Sequence, residues 1–373
     1  MDRRNRFLSY VAGGGPPVCS PQIGGGAGFD TKLAGKDDVW QTTLEDTLAA
    51  VERFDIVPLI NVGIPDLGDC DPTLRWRKVE NRTNGTRIFE TERLNTPVGT
   101  LTRTLMREPR TGYYTKYPVE TEDDLAALEW YVERAIEVDL TPMEAYVRTV
   151  RLTVGDRAAV DVQWPMQPYE LLCFPSTQDT ALLVHDCPKQ ARRIMERIVT
   201  LDERLIRAVA RGGTDFVFLG GPAKEMVSPQ YYRDYIEPFS REVSAIAHAN
   251  GLLVYSHICS PIEPFLTMGF YNRMGIDLFE TLSPPPVGNV LSLADGLSKV
   301  DPHICTRGNL GLDVLLTADA AAVRDACFSL LEQSQGRKHM LGASDYLLYD
   351  VPEENVHAMA DAVREWSGGS AGP

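Results

Sequence analysis

The chain has 373 residues, 43% hydrophobic and 24% charged, an ordinary mixture for a soluble globular protein and long enough to bury a large core unaided. Asp and Glu outnumber Lys and Arg by 52 to 37; the formal net charge of −15 repels phosphate backbones and excludes nucleic acid as an expected partner. No apolar run approaches the ~18 residues of a membrane span, the basic N-terminal residues lack an apolar stretch behind them, and the seven cysteines have no framework spacing, so a cytoplasmic protein with free thiols and no membrane partner is expected.

In chain order, the first thirty residues read as loop. Glycines 13–15 and 24–26 flank Pro16-Pro17, and their spacing fits neither phosphate-loop pattern. Residues 74–117 differ from the rest of the chain. In "LRWRKVENRTNGTRIFETERL", Asn84-Gly85 lies between two polar, β-prone arms, which predicts a small antiparallel hairpin insertion. Thr121-Glu-Asp-Asp124 then opens a helix running towards Asp139.

From there short apolar runs alternate with amphipathic helices. The runs are "AAVDVQW", "DFVFLGG", "LLVYSHICS", "DLFETLS", "HICTRGNL" and "HMLGASD". The helices carry start and stop signals: Ser228-Pro229 and Asn250-Gly251 around one, the Gly212-Gly213 pair after another, Thr317 and Gly336 around a third. This alternation implies a parallel sheet, and six or more units favour a distorted (β/α)8 barrel of the TIM type as a single domain over 1–373, with 74–117 inserted.

The ends of the runs are polar or reactive: Gln163-Trp164, His257 and Cys259, Glu280, Arg307 and Asn309, then Ser344-Asp345. Carboxyl ends of barrel strands share one pocket, so these residues are the candidates for chemistry. His257 and Cys259 are two apart and face the same side of an extended segment. Imidazole and thiolate are zinc ligands, and a zinc site needs three or four. Chance gives about 0.1 such H-x-C match in a chain of this composition, whereas there are two, the second being His303-Ile304-Cys305. Both are expected at strand ends. Glu280 offers a carboxylate as third ligand, with Cys305 as the alternative. Ordinary structural roles stand beside these readings: Asn309 shapes a turn after Gly308, Asp345 caps or turns a loop, and Cys19 is a loop thiol. Cys70, Cys173, Cys187 and Cys327 have no partner spacing, and His185, His248, His339 and His357 are expected on helices or at strand starts as solvent-facing or packing residues.

The segments "RFLSYVAGGGPPV", "TPVGTL", "MVSPQYYRDYIEPF", "VYSHICS", "CTRGNL" and "GASDYLLYDVPEENVHAMADAVRE" resemble, in order, those of the uroporphyrinogen decarboxylase superfamily. The resemblance implies a distorted (β/α) barrel and one of two chemistries. True uroporphyrinogen decarboxylases carry an N-terminal Arg-rich clamp for the substrate carboxylates, and "PPVCSPQIGGG" has no Arg there. The other branch moves methyl groups between a corrinoid and a thiol or pterin, using zinc on His-x-Cys and a distant Cys. By this resemblance His257 and Cys259 are the first two ligands, but Ala343 stands where the third Cys belongs; Glu280, then Cys305 or Asp345, are the substitutes.

The resulting expectation is a zinc-dependent methyltransferase that takes its corrinoid (cobalamin) from a partner protein and serves a small methyl acceptor. Gln163 and Trp164 are the candidates to contact the cofactor, and Asp345, Asn309 and Arg307 the catalytic candidates. The alternatives are a metal-independent decarboxylase or lyase, in which Asp345, Glu280 or His257 moves protons and Arg307 holds a carboxylate, and a non-catalytic barrel that binds a tetrapyrrole.

Overall fold

The computed structural model describes residues 1–163, 167–221 and 227–369. Strand β1 (Leu59–Gly63) comes first. An antiparallel block follows, made of β2 (Arg77–Asn84), β3 (Arg87–Thr96), β4 (Gly99–Glu108) and β5 (Thr111–Lys116). The remaining strands are β6 (Ala159–Gln163), β7 (Phe216–Phe218), β8 (Leu253–His257), β9 (Leu278–Thr281), β10 (Cys305–Leu310) and β11 (His339–Ala343).

Among the described residues β1 and β6 to β11 form a seven-stranded parallel sheet in chain order, β1-β6-β7-β8-β9-β10-β11. The sheet curls. Residues 18–20 run between its two edges: Leu341 N–H donates to the Val18 carbonyl and Ser20 N–H to Leu341, while Val57 N–H, just before β1, donates to the Cys19 carbonyl. This bridge stands where a full eighth strand was expected. It also takes Cys19 out of any loop; the thiol is buried, and burial raises its pKa well above the ordinary value.

The helices between strands form for the reasons their sequence suggests. Helix Pro188–Gly212 buries Ala191, Ile194, Met195, Ile198, Leu205 and Val209, a stripe at three- and four-residue spacing, and stops at Gly213 with φ 92°. Ser228 accepts from Tyr231 N–H at the start of the segment leading through helix Glu237–Ala249 into β8. Helix Ala320–Gln333 is capped by Asp319 instead of Thr317, which closes the short helix Leu312–Thr317. No α-helix lies between β8 and β9 among the described residues. No helix among them is long and apolar enough to cross a membrane.

Two further expectations change. Residues 3–13 are helix (Arg3–Gly13), because Phe7, Tyr10 and Val11 make an i, i+3, i+4 apolar stripe. The stripe plugs the amino end of the barrel against Leu59, Ala159, Phe216, Leu278, Cys305 and Met340. Arg4 pairs with Asp215 at 2.5 Å and Tyr10 OH donates to the His339 carbonyl. The insertion is not a single hairpin. The Asn84–Arg87 turn is there, but turns at 96–99 and 108–111 add two more strands, making a four-stranded antiparallel sheet. Its buried Leu94 and Leu101 join the core with Leu125 and Leu128 of helix Leu125–Ile136, while β2 is exposed throughout.

Candidate active site

Side chains of a strand alternate, so the inward faces of the parallel strands can be read upward from the plug. Above Leu278 comes Glu280; above Cys305 come Arg307 and Asn309; beyond Tyr255 comes His257. Within one alternation the interior changes from hydrocarbon to charge.

Glu280 is the centre. It is wholly buried and in register with His257 on one side and Arg307 on the other. Its Oε1 accepts from the Tyr255 hydroxyl and lies 2.9 Å from His257 Nδ1. Its Oε2 accepts from Arg307 Nε and, at 3.0 Å, from Gln22 Nε2. Burial alone would raise the carboxyl pKa; the Arg307 charge and the hydrogen bonds from His257 and Arg307 overcome this and bring it down to about 2. Arg307 is just 1% exposed and is likewise held in its charged form by Glu280. Gly342 makes room for it: a Cβ there would lie 3.3 Å from Arg307 Cγ and 2.8 Å from the Ser20 carbonyl.

His257 is the outlet of this network. With Nδ1 towards Glu280, its Nε2 lies 3.3 Å from Asp345 Oδ1. Desolvation would lower the imidazole pKa, but hydrogen bonds with Asp345, Cys259 and Glu280 hold it well above its ordinary value. Cys259 follows two residues on. Ile258 N–H still donates to the Glu280 carbonyl, so the chain stays extended past the strand and Cys259 returns to the face of His257. His257, Cys259 and Asp345 each offer one ligand atom, and these atoms lie within 4.8 Å of one another. Asp345 Oδ1 also accepts from Tyr346 N–H at 2.7 Å, so its turn-forming role and its place in the cluster coexist. The Tyr346 ring packs 5.4 Å from the His257 ring. The glycine loop lies against Tyr346: at Gly25, with φ 62°, a Cβ would sit 2.7 Å from the ring.

The candidate residues thus sort by position. His257, Cys259 and Asp345 come together; Glu280, instead of facing a metal as third ligand, supports His257 from behind, because Arg307, Tyr255 and Gln22 occupy its oxygens. Cys305 lies at the opposite end, where β10 begins, buried on the plug with its pKa pushed to about 12 by burial; His303 precedes the strand and is exposed. That second H-x-C therefore lies at the start of its strand, not at a pocket-forming end. Asn309 donates to the Leu282 carbonyl at 2.9 Å. Gln163 ends β6, half-buried at the mouth, and Trp164 is outside the described residues. Tyr255, Asp161, Gln22 and Tyr346 were not singled out from sequence. Tyr255 and Asp161 carried a signal, each lying two residues before a polar strand end and hence on the same face; Gln22 and Tyr346, in loops, carried none.

Known proteins agree with this architecture. The sequence pattern of the uroporphyrinogen decarboxylase (URO-D) family matches residues 108–366. The chain is 20% identical to the uroporphyrinogen decarboxylase of Gluconobacter oxydans over 192 residues, 50% of this chain and 52% of the other, so it spans about half the length of that relative. It is 21% identical to the uroporphyrinogen decarboxylase of Coxiella burnetii over 280 residues, 69% and 71% of the two chains. In structure it is similar to a methyltransferase from Methanosarcina mazei, with TM-score 0.66, 14% identity, and 98% and 99% of the chains covered. At that identity the likeness is one of fold.

Proposed function

Since the chain belongs to the uroporphyrinogen decarboxylase family, we propose that it is an enzyme that holds zinc at His257, Cys259 and Asp345 and moves a methyl group between a corrinoid and a thiol or pterin acceptor. The observation that carries this reading is the convergence of three ligand atoms of different chemistry within 4.8 Å at the carboxyl end of the sheet.

The residues fit the ion. Zinc binds nitrogen, sulfur and oxygen at about 2.0–2.3 Å, and the donors of a tetrahedral site are roughly 3.3–3.8 Å apart. The 3.3 Å from His257 Nε2 to Asp345 Oδ1 falls in that range. A zinc-ligating histidine usually gives its other nitrogen to a carboxylate, as His257 does with Glu280 at 2.9 Å. Asp345 takes the part that Ala343 cannot. Three protein ligands leave a fourth position, as catalytic zinc sites do. Bound there, zinc would keep a substrate thiol deprotonated at neutral pH.

The chain's own groups do the rest. Glu280 fixes the ring of His257 so that Nε2 faces the mouth. Arg307 balances the Glu280 charge, and Tyr255 and Gln22 occupy its remaining lone pairs. The turn at Tyr346 aims Asp345 at His257. Gln163, at the rim, would meet the corrinoid delivered by a partner protein.

The metal-free rival also has one observation behind it: His257 lies between two carboxylates, a geometry suited to moving a proton. It loses the substrate anchor it required, since Arg307 is buried and committed to Glu280. The two readings separate in a methyl-transfer assay from methylcobalamin to a thiol, followed by cobalt absorbance, with and without chelator. Zinc-dependent turnover supports the first reading; loss of carbon dioxide from a carboxylated substrate, indifferent to chelator, supports the second.

A further inference from the structure

Beneath the site, buried oxygens without a hydrogen-bond partner among the described residues gather inside the barrel. They are both oxygens of Asp161, Oδ1 of Asn61, Oε1 of Gln22 and the hydroxyl of Tyr346. Asp161 is wholly buried on β6, in register with Asn61 on β1. Residues in register on parallel strands point to the same face. That face is the interior, because Ala159, two residues before Asp161, packs on the plug. Gln22, just past the 18–20 bridge beside β1, has given its Nε2 to Glu280, and its Oε1 has no hydrogen-bond partner among the described residues. Glu280 and Arg307 face the same interior, two residues beyond Leu278 and Cys305, which pack on the plug.

Amide and carboxylate oxygens accept, and the Tyr346 hydroxyl can donate or accept. Protein interiors rarely leave such groups empty, and ordered water is the usual partner. We propose that the barrel interior between Asn61, Asp161, Gln22 and Tyr346 is a water-binding chamber, and that its waters link Asp161 to the Glu280–His257 pair. Water suits the residues present: each molecule both donates and accepts, so it can pair with the amide and carboxylate oxygens and with the Tyr346 hydroxyl alike. Burial pushes the Asp161 carboxyl well above the usual carboxylate range; Glu280 adds to this and Arg307 opposes it. This shift favours the un-ionised acid, whose O–H donates into the chain of waters. Asp161 is a positioning residue, ordering waters under Glu280. The chamber depends on neither zinc nor methyl transfer.

The test is a crystal structure of the whole chain at a resolution that shows ordered water, with infrared spectra of wild type and Asp161→Asn at neutral pH. Water within hydrogen-bond distance of Asp161 and Asn61 is expected. So is a wild-type-minus-variant band from an un-ionised carboxylic acid that shifts rapidly in deuterium oxide. A dry Asp161 in the wild-type map would overturn the proposal, as would a band that deuterium leaves in place. Asp161→Leu adds an independent arm: a folded variant at least as stable as wild type means a dry, hydrocarbon-like site and contradicts the chamber, whereas a clear loss of stability supports it.

Discussion

His257-Ile258-Cys259 and His303-Ile304-Cys305 are the same tripeptide at opposite ends of parallel strands. The first leaves β8 at the carboxyl end, where strand ends converge and Asp345 meets it. The second enters β10 at the amino end, where His303 is exposed and Cys305 packs against the helical plug. The difference teaches that strand direction decides what a motif can do. At the entrance the interior is hydrocarbon; at the exit it is an ion-pair network that orients His257.

The comparison breaks most severely if the network at the exit is cut. Arg307→Met leaves Glu280 wholly buried without its cation, and removing one partner of a buried pair costs about 3–5 kcal/mol. Urea denaturation should show that loss, and Arg307→Met/Glu280→Gln should recover part of it. At the entrance, Phe7→Ala should cost about 3–4 kcal/mol by opening a cavity in the plug. The candidate site lies at the other end, so the variant's affinity for zinc should match that of wild type. Cys305→Ala removes a buried sulfur from the same packing; roughly 1 kcal/mol of stability should go, with zinc content intact.

A pH-dependent effect sharpens the boundary between the two regions. Asp161 has a folded-state pKa above its unfolded value of about 3.9. Between those values the native state holds the extra proton, so stability falls as pH rises, by at most about 1.4 kcal/mol per pH unit. Asp161→Asn should abolish its share of that fall. Urea midpoints from pH 5 to 8 should therefore diverge upward for the variant; parallel curves would show that Asp161 ionises freely in the folded protein.

Much of the sheet was legible because each strand is a short apolar run bounded by helix caps, as in "LLVYSHICS" and "HMLGASD". The polar endings marked the mouth for the same reason: a buried run has no use for His257 or Glu280 unless it opens on a site. The features hidden from the sequence depended on distance along the chain. Nothing local says that Arg307 will pair with Glu280, that Gln22 will reach Glu280, or that Asp345 and not Glu280 will complete a triad with His257 and Cys259. These contacts arise from register between strands and from loops that return over the barrel. The helix at 3–13 was hidden by the glycines and prolines behind it, although Phe7, Tyr10 and Val11 carried its periodicity. The plug in turn decides that Cys305 is a packing residue.

The most direct measurement is the zinc content of purified protein by mass spectrometry, for wild type, Cys259→Ala, Asp345→Ala and Cys305→Ala side by side. About one zinc per chain in wild type and Cys305→Ala, with little in Cys259→Ala and Asp345→Ala, is the expected pattern. A wild type that stays free of zinc after equilibration with the ion, or a Cys305→Ala variant that loses it while Cys259→Ala keeps it, would contradict the assignment of the metal to the exit of β8.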